Sequence, residues 1–519
     1  MKKMKHGQLI IFSLIFLFVA TGIAFADTWY VSDSTGSDSN PGTETEPFAT
    51  IIQAVESANN GDTILVEEGT YSGDIVITND GLTVRSLEGA SGTIISGVNT
   101  GFRLSTGNGL TIQGFRIENS DVGIQIESLQ TNDVRLLNNW IENYTSDGIS
   151  FAGSNINGCS IRIEQNTIIE GNYGIYFDGD IGNTENVNVQ IMNNTILSSD
   201  RNGIYFPALS RGSLEISDND FLNCAQGIEI SGTSDIGLET SCKVENNEIT
   251  LTGSSSVYGI YIDYTERTTW IRNNVISGDY YQGIYLDRIG YQGAEPALLY
   301  VDNNQITGCY EGMEMVNLFE DFGGEIYIRD NTVSDCSHNG MFLRNIGNAF
   351  GADDFSIFLE NNVIFGCAND GLSFETLFAD STGELYIRRN SFLDNDYGLY
   401  INQENYLENS TFVAENNNFE NNDFGFYNGT NITVSALDNW WGDDTGPLDP
   451  FDPNGDPTYD NPGGLGDAVS EYVDYDPWRD SPYIAGEESS GGCSTGGFDP
   501  SLIFLILPLL GLFSLKRNR

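Results

Sequence analysis

Lysine is almost missing from the body of this 519-residue chain: between residues 27 and 493 it occurs only at Lys243. Histidine is nearly as rare, with His338 alone in the same stretch. A lysine-based elimination would therefore rest on Lys243, whose neighbours Cys242 and Glu245 form no motif. One histidine cannot supply the His/Cys spacing of a zinc site, and no Ser/His/Asp arrangement is present. Basic charge is scarce overall, with 22 Lys and Arg against 74 Asp and Glu, a net charge of −52. Such a surface repels phosphate, which excludes nucleic acid as a partner. An anionic polysaccharide would need a metal bridge or a local arginine patch. Proline is also low at 13, whereas glycine reaches 59, a balance that favours many tight turns between short strands. The charge does not signal disorder, because hydrophobic residues make up 39% and aromatic ones 12%, enough to build a long core.

Both ends read as addresses. Residues 1–26 have the form of a signal peptide: Lys2, Lys3 and Lys5, an apolar run over 9–20, and the small-x-small cleavage site Ala24-Phe25-Ala26. Residues 485–519 comprise a Gly/Ser-rich linker around Cys493, an apolar segment over 502–515 and the basic end Lys516-Arg517-Asn518-Arg519. The apolar segment is shorter than the roughly 20 residues of a full span. Gly491-Gly492-Cys493-Ser494, with the apolar segment and the basic end, resembles the Cys-containing bacterial C-terminal sorting signals. That resemblance implies cleavage near Cys493 by a sorting protease and delivery to the cell surface, the membrane being met only through this segment.

Between the ends lies a repeat. Asparagine followed two residues later by an apolar residue recurs at Asn139, Asn166, Asn194, Asn219, Asn247, Asn274, Asn304, Asn331, Asn362, Asn390, Asn417 and Asn439, with Phe115 in the equivalent place one turn earlier. About 8 to 12 residues after each Asn comes a Gly-led segment, from Gly123 to Gly425, whose first and third residues after the glycine are apolar at 23 of 24 positions, Asn428 being the exception. Alternation of period two means strands with one buried face. Three short strands per repeat, stacked on their equivalents about 4.8 Å away, give an all-β, right-handed parallel β-helix. The Asn column is structural: Asn tolerates left-handed corner geometry, and its amide can donate to and accept from the Asn of the next turn. Cys224, Cys309, Cys336 and Cys367 each follow a repeat Asn by five residues, as buried free thiols or as disulfides between turns.

The opening Trp29-Tyr30-Val31-Ser32, with Gly36 through Thr43, Pro47-Phe48-Ala49-Thr50-Ile51, Gly61-Asp62-Thr63-Ile64 and Gly69-Thr70-Tyr71, resembles pectin-lyase-like β-helix proteins. Phe48, Ile51, Ile52, Val55 and Ala58 form one apolar helical face, and the resemblance implies a helix that caps the open end of the core. Residues 438–447 and 474–478 resemble the closing segment of bacterial β-helix repeat proteins. The implied organisation is a cap over 27–62, the β-helix over 63–440 and a C-terminal cap over 441–484. The family spans lyases, hydrolases, epimerases, adhesins and copper-loading accessories. Its polygalacturonase type needs a Gly-His-Gly and an Arg-x-Lys element, and neither is present. His338 reads as a turn residue. A copper-handling role is disfavoured by a single body histidine and six methionines in all.

Chemistry is expected on the outer side of the Gly-led strand. The residue two after each glycine includes Tyr176, Tyr205, Tyr261, Tyr285, Phe342, Tyr400 and Tyr427, seven aromatics among twelve positions, with Glu229, Glu314 and Ser373 between them. Four after the glycine come Glu127, Asp178, Asp263, Asp287, Arg344 and Glu375. Rings suit the apolar faces of sugars, and carboxylates suit hydroxyls or calcium. Asp263 and Asp287 fall on adjacent turns beside Arg288, with Arg267 nearby; they could share Ca²⁺, the one cofactor the pattern suggests, or act as the carboxyl pair of a glycosidase. Two acidic loops, Asp33-Asp38-Asn40 and Asp452-Asn454-Asp456, are further calcium candidates. The expected protein is exported and on the cell surface, carbohydrate-binding or structural and adhesive. The competing expectation is a polysaccharide lyase or glycoside hydrolase, pectate-lyase-like and calcium-assisted.

Overall fold

The computed structural model describes residues 26–484 apart from short segments, the longest being 233–238, 291–296, 348–354 and 451–459. The leader before Ala26, the tail with Cys493, Arg267 and the 452–456 loop lie outside the described residues. The chain winds into a right-handed parallel β-helix. The strand before each repeat Asn, such as Val187–Met192, belongs to a continuous parallel sheet of seventeen strands, here called face one. The short strand after the Asn, such as Thr195–Ser199, builds face two, and the Gly-led strand, such as Asn202–Phe206, builds face three. Residue pairs with residue one coil on, for example Ile284 with Met313 and Leu286 with Met315, with a register shift at Tyr144–Asp147 and others at the C-terminal end. Those inward side chains are fully buried, so every coil adds one layer to a single long core.

The corner between faces one and two carries the Asn ladder, from Asn139 to Asn439. Asn304 shows the pattern. Its backbone N–H and its Nδ2 both donate to Asn331 Oδ1, at 2.9 and 3.0 Å, and Nδ2 also donates to Ile271 O at 2.8 Å. Its own Oδ1 accepts the same two donors from Asn274. The donors and acceptors of each buried amide are thus satisfied, which removes the penalty of burying it. The left-handed residue is not the ladder Asn, as the sequence suggested, but the one before it: Asn273, Asn303 and Asp330 have φ of 55°, 57° and 57°. The ladder Asn is spared that geometry so that its side chain can point inward. Phe115 receives the ladder's first member, its N–H donating to Asn139 Oδ1.

The cysteine column continues as asparagine. Cys309, Cys336 and Cys367 are free and buried, as are Cys159, Cys224 and Cys242, and the next two places are Asn395 and Asn422, with Asn395 Nδ2 donating to Asn422 Oδ1 at 3.1 Å and Asn422 Nδ2 to Asp467 Oδ2 at 2.7 Å.

At the N-terminal end the helix Ile51–Ser57 covers the core, capped by Thr50, whose side chain accepts from Gln53 N. It buries Ile51, Ala54 and Val55, whereas Ile52 is 40% exposed, so the helix is rotated from the face read in the sequence. Stacking begins ahead of it: Thr28–Val31 already pairs with Thr63–Val66. At the other end, Val473–Asp474 and Gly466–Val469 pair onto the last coils, and fully buried Trp441 stacks on Phe419 at 4.7 Å. Among the described residues no helix is long and apolar enough to cross a membrane.

Candidate functional site

Face three is held close-packed by its glycines. A Cβ on Gly312 would stand 2.4 Å from Gly340 O and 2.3 Å from Val333 Cγ1, so only glycine lets successive coils approach there. The residues on either side of that glycine column form the outer floor. In register along the axis run Tyr176, Tyr205, Glu229, Tyr261, Tyr285, Glu314, Phe342, Ser373, Tyr400 and Tyr427. The structure therefore brings all seven sequence-expected aromatics into one column. They are not a row of open ring faces, however. Tyr258, Tyr261 and Tyr285 stack on one another at 4.8 to 5.4 Å, and Tyr400 stacks on Tyr427 at 5.4 Å. Much of each face is covered by the neighbouring ring. The Tyr258 stack ends at Tyr285, because the next coil offers Glu314 instead of a ring.

The Asp263, Asp287 and Arg288 group differs from its expected role. Arg288 donates through Nε to Asp263 Oδ1 at 2.9 Å and through Nη2 to Oδ2, and Asp263 is only 5% exposed. Asp287 accepts from Asn317 Nδ2 at 2.9 Å. Burial raises the Asp287 carboxyl above its ordinary range, with the Asn317 bond opposing. Both carboxylates are satisfied within the protein, so they are not the open oxygen pair that shared calcium requires. Among the described residues no group of three or more His, Cys, Asp or Glu could hold a metal ion. Asp38 is likewise engaged, accepting from Ala49 N and Thr50 N, and Asn40 donates to Pro47 O; these residues pin the N-terminal cap.

Two features of face three stand out. The first is a cavity of about 410 Å³ lined by Tyr173, Tyr176, Tyr205, Arg201, Asn202, Gln226 and Glu229, a size within the range of small-ligand sites. Tyr173 and Tyr176 pack at 4.7 Å, Tyr176 and Tyr205 at 5.4 Å. Arg201 donates to Tyr173 OH at 2.9 Å, and Asn202 Nδ2 donates to Glu229 Oε2 at 2.8 Å.

The second is a buried polar cluster further along the column. Glu311 and Glu314 are each 6% exposed. Glu314 accepts from Arg344 Nη2 at 3.1 Å and from Gln282 Nε2 at 2.7 Å. Glu311 Oε1 lies 2.7 Å from His338 Nδ1, and the His338 ring stacks on Tyr310 at 4.9 Å. Desolvation, reinforced by the Glu314 charge, pushes the Glu311 carboxyl up to about 8. Asp370, two coils on, is raised to about 6 by burial, with His338 opposing. Tyr285, beside Glu314 in register, is pushed up to about 12. Among the described residues, three buried polar atoms of this cluster have no partner: Gln282 Oε1, Glu311 Oε2 and Arg344 Nε. Carboxyls raised by burial occur where proton transfer is carried out and also in structural networks.

Sequence reading misses most of this cluster. The columns after each glycine hold Glu314 and Arg344 but leave out Gln282, Glu311 and Asp370, and His338 reads there as a turn residue. A signal exists: the residue preceding each glycine is Asp147, Asn202, Gln282, Glu311, Asn339 and Asp370 in six of the coils, polar throughout. All six are at least nine-tenths buried.

Residues 258–439 match the family described as right handed beta helix region, and residues 55–238 match the family described as periplasmic copper-binding protein (NosD). The donors in the second stretch do not suit copper: it contains no histidine, one methionine, Met192, and two cysteines, Cys159 and Cys224, both buried. Among solved structures, the chain resembles XylC with xylose at 12% identity, over 72% of this chain and 83% of that one, with a TM-score of 0.40. It resembles the catalytic unit of a GH87 alpha-1,3-glucanase from Streptomyces thermodiastaticus strain HF3-3 at 14% identity, over 83% and 66%, with a TM-score of 0.42. A mannuronan C-5 epimerase A-module from Azotobacter vinelandii aligns at 14% identity over 82% and 93%, with a TM-score of 0.33. No curated protein matches the chain. By its stacked register, its Asn ladder and the matched region, the chain is a right-handed parallel β-helix repeat protein.

Proposed function

We propose that this is an exported, surface-delivered protein that holds a glycan chain along face three. One observation carries the reading: the cavity bounded by Tyr173, Tyr176 and Tyr205 combines apolar rings with a guanidinium, two amides and two carboxylates, Asp200 and Glu229. That mixture matches a sugar ring, which has apolar faces and a rim of hydroxyls. Successive coils continue the same column at about 4.8 Å, close to the length of one pyranose along a chain, so a polymer would meet one coil per sugar. The net charge of −52 favours neutral glycans over polyanionic ones. Catalysis is the second reading, and the buried Glu311 and Glu314 favour it.

The binding reading is tested with the full chain on an array of neutral and acidic glycans. Tyr205→Ala and Tyr176→Ala are each expected to weaken the tightest neutral interaction by about 5- to 30-fold, as removal of a ring worth about 1–2 kcal/mol would. Tyr386→Ala, on face one, is expected to leave it unchanged. Equal effects of all three changes, or no bound glycan at all, would refute it.

A further inference from the structure

We propose that the cavity at Tyr173, Tyr176 and Tyr205 selects glycans that carry a protonated amine, Glu229 pairing with the ammonium group of a hexosamine unit. This rests on the glycan-binding reading and narrows the sugar it takes. What points to it is where the carboxylates of face three have a counter-charge and where they have none. Elsewhere on this face guanidinium groups answer them: Arg103 pairs with Glu127 at 3.3 Å, Arg344 with Glu314 at 3.1 Å, and Arg288 with Asp263.

At the cavity that pattern stops. Among the described residues Glu229 accepts from neutral donors, Asn202 Nδ2 at 2.8 Å and Ser231 Oγ at 3.1 Å. Asp200, in the lining, and Asp178, two residues after Tyr176 on its strand, make no ion pair among the described residues. Arg201, the base in the lining, is engaged with the rings instead. It donates to Tyr173 OH at 2.9 Å, and its guanidinium carbon lies 5.6 Å from the centre of that ring. The cavity thus holds uncompensated negative charge beside rings that already attract a cation of the chain itself.

The tyrosines respond to the same charge. Desolvation raises the Tyr176 hydroxyl above its ordinary range, and Asp178 adds to the rise. Desolvation raises Tyr205 as well, with Ser231 opposing and Glu229 and Asp178 adding. A field that resists a phenolate favours an ammonium in the same place.

A neutral pyranose would use the rings and the amides but leave Glu229 without a counter-charge. A hexosamine in its ammonium form brings three N–H donors on a ring that keeps its apolar face. A charge-assisted bond to a carboxylate is about twice as strong as a neutral one, and an aromatic face adds the attraction of its quadrupole. Tyr205 stands opposite Glu229 in register, and the stack of Tyr176 on Tyr205 has Glu229 in place of a further ring. An amine at Glu229 therefore meets a carboxylate on one coil and a ring on the coil before it. Asn202 and Gln226, joined by a 2.7 Å bond, supply amides for the neighbouring hydroxyls. N-acetylation removes the charge and adds bulk at the same nitrogen, so the acetylated sugar is the one discriminated against.

The experiment measures binding of trimers of glucosamine and of galactosamine, each beside its N-acetylated counterpart, to the full chain, with spermidine as a cation that carries no sugar. At least one amine trimer is expected to bind about tenfold or more tighter than its acetylated form. Glu229→Gln is expected to remove most of that preference and leave the acetylated trimer within about twofold of the parent. Glu384→Gln, an exposed acid on face one, is expected to change neither. Thermal melting confirms that Glu229→Gln folds, and Asp200→Asn, expected to reduce the preference in the same direction, is a second variant. Acetylated trimers that bind as tightly as the amines overturn the inference and leave the glycan-binding reading intact. A preference that survives both Glu229→Gln and Asp200→Asn, or that Glu384→Gln lowers equally, belongs to the charge of the whole surface and overturns the site. Spermidine binding as tight as the trimers, with the same dependence on Glu229, overturns the sugar part of the inference. No binding of any trimer, together with none on the glycan array, overturns both readings.

Discussion

Glu311 shows how one buried carboxyl can weigh on the stability of the fold. Its carboxyl titrates near 4.5 when free in water and near 8 in place, desolvation being the main cause. Between those values the folded chain keeps a proton that the unfolded chain has released. Stability therefore falls as pH rises through that window and stays at the lower level above it. Asp370 and Asp467, both raised to about 6, act in the same direction over a narrower range. Glu311→Gln removes the effect while preserving shape. Its melting temperature is expected to match the parent near pH 4 and to exceed it by several degrees at pH 9. Thermal melts across pH check this, and parallel curves would contradict the burial of the carboxyl.

At the scale of an element, faces one and three carry aromatics to different ends. On face one, Trp270, Tyr300, Tyr327, Phe358 and Tyr386 stack in register at 5.0 to 6.2 Å, with Arg272, Arg329 and Arg388 lying over the rings. Along the next outward column the charges alternate: Glu245, Arg272, Asp302, Arg329, Glu360, Arg388, Glu415. Each ring is occupied by its neighbours and each charge faces an opposite one, so this face needs no ligand to be satisfied. Tyr327→Ala removes two stacks and the 4.8 Å cation–π contact of Arg329, and is expected to lower stability by about 1–2 kcal/mol. Denaturant unfolding measures the loss, with glycan binding unchanged. Face three differs because its stacks are interrupted by Glu229, Glu314 and Ser373, and polar atoms are left over at the interruptions.

Over the whole molecule, stability is a sum of coil-to-coil interfaces, since each coil contacts chiefly its neighbours. Open ends are then the weak points. The C-terminal end is closed by Trp441, fully buried, on Phe419 and beside Tyr475. Trp441→Ala is expected to cost about 3–5 kcal/mol, and the cost should appear locally. Hydrogen exchange is expected to speed up first in residues 411–440 and least in 269–334; a uniform increase would show that the solenoid unfolds as one block. The acidity of the chain is also a property at this scale. The described basic residues of faces one and three are largely paired, as Arg272, Arg288, Arg329, Arg344 and Arg388 show, so the excess charge is left to loops and outward columns.

Parallel strands, period and ladder were legible in the chain itself, because each coil repeats one local pattern: alternation of period two, an Asn at one corner, a glycine where coils must approach. Those are local rules, and a repeat restates them many times over. The caps were legible only in outline. The helix at 51–57 was expected from its apolar spacing, but its rotation, with Ala54 inward and Ile52 outward, is set by packing on the first coils. The site was the least legible part. Alternation identified the columns after each glycine, yet the residue before it also turns outward, which brings Glu311 beside Glu314. Whether a carboxyl in a column is exposed, paired or buried depends on residues one coil away, some 25 to 30 positions distant in the chain. For that reason the pairing of Asp263 with the Arg288 guanidinium, and the burial of Glu311 with His338 at one oxygen, became visible only in three dimensions.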